Sequence, residues 1–371
     1  MILQQPTTNI LYRLNLKLIF TIIALQIFGL IVLYSASYNS LKIGLEIIFF
    51  KQLAWMSIGW ICFFIFTFIQ PKVFFKLAYP LYFFNILLLI ITLKEGVSFY
   101  GAKRWLKIFS FYLQSSEIMK LSIVLVLAKL LSTYNINNKL NFKQLIKPLI
   151  LLVLPFLLII KQPDLGTALI ILSIGASMLI FFTLEYKVII ITGISILICT
   201  PLAWNFVLKP YQQKRIITFI QPHKDPKGIG YNSIQSQIAI GSGQIYGKGF
   251  KKGTQSQLHF IPERHSDFIF SVLSEEFGFI GSCLCIFLFF LLFSICLQIA
   301  VTSLSGFSSL CVIGVTSFIF WQVFINIGMV TGILPIVGTP LPFFSYGGSS
   351  IISISAALGI LSSISYHMRI F

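Results

Sequence analysis

Charge is what this sequence has least of. Only 10% of its 371 residues are Asp, Glu, Lys or Arg, and 57% are hydrophobic. Soluble domains carry about 25% charged residues, so the composition does not suit a soluble domain of this length. Acids are the scarcer sign, 10 against 27 Lys and Arg, which leaves a net charge of +17. The 6 cysteines all fall inside apolar runs and imply neither a disulfide framework nor a zinc site. Cys283 and Cys285, two apart on a helix, point to different faces. His259, Glu263 and His265 look like a metal cluster, but Pro262 interrupts the helix that an HExxH site needs. There is no Walker loop, no GxGxxG at a strand-to-helix turn, no internal repeat and no low-complexity tail.

What is present is length without charge. Runs of roughly 18 or more apolar residues recur along the chain, which predicts a polytopic helical membrane protein. The runs do not alternate as the strands of a β-barrel would. Spans are expected near 16–34, 52–69, 77–93, 116–133, 145–161, 165–183, 187–208, 268–297, 307–332 and 346–366. The fold class is therefore all-α, with about ten transmembrane helices and both termini on one side. The first run is too long for a signal-peptide core of ~7–15 residues and is expected to be retained. The chain reads as a single integral membrane domain, 1–371, with one large loop, 209–267.

Nine of the 27 basic residues lie in that loop, which leaves the positive-inside rule nearly silent. A basic excess on an outer face suits an anionic substrate. Within the loop, Ile234, Ile238 and Ala239 recur at helical spacing and predict a short amphipathic helix on the membrane surface. "GSGQIYGKGFKKG" interleaves glycine with lysine, which suits a phosphate and a plain flexible loop equally. "FIPERHSDF" then packs Glu263, Arg264, His265 and Asp267 at the mouth of an apolar span.

Three more places break the apolar rule. Glu117 and Lys120, three apart in "SSEIMKL", share a helix face and can pair. Asp164 lies in "KQPDLGT", between spans too close for an ordinary loop, and Glu275 and Glu276 lie two turns into a span. Ionisable groups near membrane depth mark a water-filled cavity or a substrate path, or else snorkel from helix ends. "GILPIVGTPLPFFSYGGSS", 332–350, breaks helical pattern between two spans, and such backbone is tolerated only where protein or a cavity covers it.

These motifs together resemble the SEDS family (shape, elongation, division and sporulation proteins), elongation type, over essentially the whole chain. The resemblance rests on "LYSAS", "GAKRWL", "SSEIMKL", "QPDLGTA", "DPKGIGYNSIQSQIAIGSG", "GKGFKKGTQSQLHFIPERHSDFIFSVLSEEFG" and "NIGMVTGILPIVGTPLPFFSYGGSS", in that order. It implies a ten-helix peptidoglycan glycosyltransferase of the bacterial inner membrane, with both termini cytoplasmic and the large loop outside. Such an enzyme polymerises lipid II beside a class B penicillin-binding protein and other membrane proteins of the elongation machinery. No nucleic acid is involved. Asp267 matches the family's essential aspartate. Glu117 and Lys120 match the acid and lysine of its fourth helix, Arg104 and Trp105 its outer-loop Arg-Trp, and Asp164 its QPDLGT aspartate. Two positions depart from the pattern: Ser115 replaces a proline and Gln244 a glycine.

The implied reaction needs one base for the attacking hydroxyl and positive charge for a departing diphosphate. Asp267 is the candidate base. Lys120, Arg104, Arg215 and Lys248 are candidates for the diphosphates, and His265 for a substrate contact. A divalent cation, Mg²⁺ or Mn²⁺, could share the diphosphate charge with Asp267 as its ligand instead. A precursor flippase and a non-catalytic scaffold are the alternatives from other classes.

Overall fold

The computed structural model of the chain describes residues 14–38, 46–99, 102–108, 111–134, 140–182, 186, 190, 201, 210–221, 228–258, 260, 261 and 263–368. The expected seventh span, 187–208, lies almost entirely outside the described residues, as do His259 and Pro262. Among the described residues, seven helices are long and apolar enough to cross a membrane. In chain order they are α1 (Leu16–Ser37), α2 (Glu46–Phe68), α3 (Pro71–Glu95), α5 (Phe142–Lys161), α10 (Ile269–Thr302), α11 (Gly306–Thr331) and α12 (Gly348–Met368). The shorter α4 (Ser115–Leu131) and α6 (Leu165–Ile180) fill two more of the expected positions. The chain is a multi-pass membrane protein.

The helices divide by exposure. Phe20, Ile27, Ile61, Phe83, Ile150 and Phe287 leave large apolar side chains uncovered on α1, α2, α3, α5 and α10, as a lipid-facing wall requires. α4 is instead buried on nearly every face and packs against α3, α6, α11 and α12. Glu117 and Lys120 therefore sit at the centre of the bundle. Among the described cysteines, Cys283 is exposed on α10 and Cys285 is buried, the two faces their spacing predicts.

One small sheet departs from the all-α expectation. Between α3 and α4 the chain forms a three-stranded antiparallel sheet, β1 (Val97–Phe99), β2 (Ala102–Ile108) and β3 (Phe111–Gln114). The segment carries Lys103, Arg104 and Lys107, too much charge to span, and its backbone groups pair locally. Trp105 faces Gln114 across the β2–β3 ladder, which brings Arg104 and Trp105 over the N-terminal end of α4.

The large loop is mostly structured where it is described. It contains α7 (Pro210–Ile220), α8 (Ile229–Ser242) and a single turn, α9 (Thr254–Gln257). The helix expected around Ile234–Ala239 is α8, but it packs on α10 and α11 as well as facing outward. Ala239 is buried, Ile238 is exposed, and Ser236 donates to Val330 O at 2.6 Å.

α10 is broken at Gly278, whose φ of 65° and ψ of −159° are not helical. The break opens the two bonds that Phe279 and Ile280 would make to Glu275 and Glu276. Residues 244–249 of the loop fill the gap as a strap. Lys248 N and Gly249 N donate to the carbonyls of Glu275 and Glu276, both at 3.0 Å. Phe279 N and Ile280 N donate to Gln244 O and Ile245 O at 2.8 and 3.2 Å. All four freed groups are thus satisfied, as membrane depth demands.

Candidate active site

A cavity of about 210 Å³ lies where the sheet, α4, α6 and the loop after α11 meet. Its wall collects residues from distant parts of the sequence: Arg104 and Trp105 from β2, Glu117 and Lys120 from α4, and Asp267 from the turn before α10. Gly338, Thr339, Pro340 and Tyr346 come from the irregular segment after α11, which lines the site as its broken pattern predicts.

Lys120 is 1% exposed. Its ammonium donates to Glu117 Oε1 at 2.7 Å and to Gln322 Oε1 at 3.3 Å. The three-residue spacing on α4 makes this pair, and a buried cation of this kind needs such partners. The second Glu117 oxygen is buried with no hydrogen-bond partner in the structure.

Asp267 sits at the other end. Three consecutive carbonyls, His265 O, Ser266 O and Asp267 O, accept from Tyr346 N at 2.9 Å, Ser345 Oγ at 2.5 Å and Asn326 Nδ2 at 2.9 Å. The backbone under Asp267 is therefore clamped by α11 and the segment after it. Gly338 lets that segment close in: its φ is +74°, and a Cβ there would lie 3.1 Å from Asp267 Oδ2. Burial, and next the negative charge of Glu263, raise the Asp267 carboxyl to about 6, partly opposed by Arg104 and Arg215. A carboxyl poised there can accept a proton near neutral pH.

Arg104 and Asp164 form a supporting unit. Asp164 caps α6, accepting from Thr167 N at 3.3 Å and Thr167 Oγ1 at 2.8 Å. Gln114 donates to it at 3.2 Å, and Arg104 Nη1 lies 3.8 Å away. Arg104 also donates to the carbonyls of Gln162 and Pro163. Asp164 thus organises the Arg104 wall and does not itself line the cavity.

The remaining candidates are placed differently. Arg215, on α7, donates to Ile336 O at 3.2 Å and contributes charge to Asp267 from behind that segment. His265 is half-buried beside the cavity, its ring 6.3 Å from that of Tyr346 and its Nε2 3.8 Å from Glu263. Burial holds its imidazole below the usual range. Lys248 is not brought to the cavity. It donates to Glu275 Oε1 at 2.8 Å and to Thr254 Oγ1 at 2.7 Å. Gln255 N and Ser256 N complete the ring around Glu275 at 2.8 and 3.0 Å. Glu276 accepts from Ser35 Oγ at 2.6 Å, and Arg264 turns inward to the carbonyls of Ser256 and Tyr38. These groups fasten the loop and leave Asp267 as the cavity's acid from the "ERHSD" cluster.

Sequence reasoning missed Gln322 and Asn326, both fully buried on α11. Their signal was available: two amides four apart inside an apolar span, "WQVFIN", share one face.

The protein-family model described as "Cell cycle protein", covering FtsW, RodA and SpoVE, matches residues 16–370. The chain belongs to the SEDS family. Among SEDS relatives, the peptidoglycan glycosyltransferase MrdB of Escherichia coli K12 is 37% identical over 96% of this chain and 95% of its own length. The stage V sporulation protein E of Bacillus subtilis is 35% identical over 95% of this chain and 97% of its own. A chain of a peptidoglycan synthase complex, in a structure concerned with coordinating polymerization and crosslinking, superposes with a TM-score of 0.81 at 28% identity, over 96% of this chain and 98% of that one. The rod shape determining protein RodA of Thermus thermophilus superposes at 0.71 and 26% identity, over 95% and 96%.

Proposed function

We propose that this chain is a peptidoglycan glycosyltransferase that polymerises lipid II into glycan strands during cell elongation. The observation that carries this reading is the cavity with a clamped carboxyl at one end and a buried, directed ammonium at the other. The full-length match to MrdB supports it.

The attacking sugar hydroxyl gives its proton to Asp267 as its oxygen bonds to the anomeric carbon. The bond from that carbon to the lipid diphosphate breaks, and the diphosphate leaves with the electron pair. Direct displacement inverts the anomeric centre. Lys120 supplies fixed positive charge to the diphosphate, and Arg104 adds to the field from the wall. Because diphosphate is already a good leaving group, no acid is needed to protonate it. Trp105 and Tyr346 offer flat surfaces for sugar, and His265 orients Tyr346.

Among the described residues no three His, Cys, Asp or Glu side chains converge as a metal cage. The donor set fits a Mg²⁺ or Mn²⁺ only as such ions bind beside substrate phosphates, through one or two carboxylates. Asp267 would hold it, and the ion would share the diphosphate charge.

The protein works in the inner membrane with its termini in the cytoplasm and its loop outside. A class B penicillin-binding protein, which cross-links the strands, is its partner. The test is a gel assay of glycan products from purified protein and lipid II, with and without that partner and a divalent cation. Long strands from wild type and none from folded Asp267→Ala are expected. No strands from wild type under any condition would reject polymerisation and turn the question to lipid translocation.

A further inference from the structure

We infer that Gln322 is a positioning residue that aims the Lys120 ammonium into the cavity without cancelling its charge. This deepens the reading of Lys120 as a diphosphate ligand and rests on it. An ammonium has three donors. Glu117 takes one at 2.7 Å and Gln322 Oε1 a second at 3.3 Å. The ring of Phe318, one turn before Gln322 on α11, lies 4.8 Å below Nζ. Lys120 also lines the cavity, and its third N–H is the donor that these two acceptors leave for a ligand there.

The type of the second acceptor matters. A second carboxylate there would surround the ammonium with two negative charges and repel an anion. A neutral amide fixes direction and leaves the pair with Glu117 open to a further anion. The amide is itself held from behind: its Nε2 donates to Pro340 O at 3.1 Å and Ser350 Oγ at 3.2 Å. Those bonds also fix which end of the amide faces Lys120, since the nitrogen is committed to acceptors on the far side. One turn on, Asn326 donates to Thr339 O at 2.6 Å and Asp267 O at 2.9 Å. One face of α11 thus sets the separation between Lys120 and Asp267, which lie on segments remote from each other.

The experiment measures equilibrium binding of undecaprenyl diphosphate, the leaving group, to the purified full-length protein. The variants are Gln322→Met, Lys120→Met and the double variant, each first checked for an unchanged thermal unfolding midpoint. Gln322→Met is expected to weaken binding about 10-fold in the wild-type background and by less than about 2-fold when Lys120 is already Met. Gln322→Glu keeps an acceptor for Lys120 but loses the donor to Pro340 O, and it is expected to weaken binding comparably by adding charge. An equal factor in both backgrounds, or wild-type binding by both Gln322 variants, overturns the inference while Lys120 keeps its role. Wild-type binding by Lys120→Met removes the role of Lys120 and this inference with it.

Discussion

At the scale of single residues, Asp267 gives the sharpest expectation. With its carboxyl raised to about 6, it is ionised at neutral pH and loses its charge in mild acid. The initial rate of glycan synthesis should therefore fall tenfold per pH unit well below 6, and Asp267→Asn should abolish it at every pH. Stability runs the other way. A carboxyl whose folded value is raised stabilises the fold most when protonated, and that contribution is lost as pH rises through about 6. Thermal unfolding in detergent should then find Asp267→Asn more stable than wild type at pH 7.5 and no more stable at pH 4. Gly338 is a second residue on which the site depends. An alanine there meets a strained φ of +74° and the Asp267 carboxylate at 3.1 Å. Gly338→Ala should cost about 1–2 kcal/mol of stability and lower the polymerisation rate by more than tenfold.

At the scale of elements, the break in α10 and the strap that fills it make a further prediction. Lys248 ties the strap to Glu275, so Lys248→Ala should speed amide exchange across 243–257. A hydrogen bond to a charged group is worth about 1.5–3 kcal/mol, so the local opening constant should rise at least tenfold, read by exchange mass spectrometry. Undecaprenyl diphosphate binding should hold within twofold, because Lys248 does not line the cavity. This is where the sequence was least legible. Glycine and lysine in "GKGFKKG" carry the same pattern whether they cradle a phosphate or complete a broken helix. Only the strap's bonds to Glu275 and Glu276 separate the two. The sheet of 97–114 was hidden for a related reason: three short strands flanked by long apolar runs give little periodicity of their own. By contrast, the i, i+3 pair Glu117 and Lys120 was readable, because helical geometry alone places both on one face. The irregular 332–350 segment was readable because proline and glycine at that depth have few other uses.

At the scale of the whole molecule, the sheet, the strap and the cavity all cluster at one end of the bundle. The ends of α3 at Glu95 and of α6 at Leu165 share that end, whereas Phe142, Thr302 and Met368 mark the other. In intact cells, an impermeant maleimide should label Tyr246→Cys in a cysteine-free background and should leave Asn141→Cys and Ser303→Cys unlabelled. Labelling at positions 141 and 303 and none at 246 would invert the orientation. The seven long spans among the described residues were legible from apolar length, which solvation by lipid enforces on any sequence. The path between Asp267 and Lys120 was not, because it runs through Gln322 and Asn326, whose meaning depends on what stands opposite them.

The strap has a consequence for how this protein can be recombined. Its large loop is not an appendage joined at two hinges, since residues 244–249 supply the hydrogen bonds that α10 lacks at Gly278. Loop and helix must be inherited together. A chimera that exchanges 228–258 with a relative but retains α10 puts foreign backbone against that gap, whereas one that exchanges 228–302 carries the joint intact.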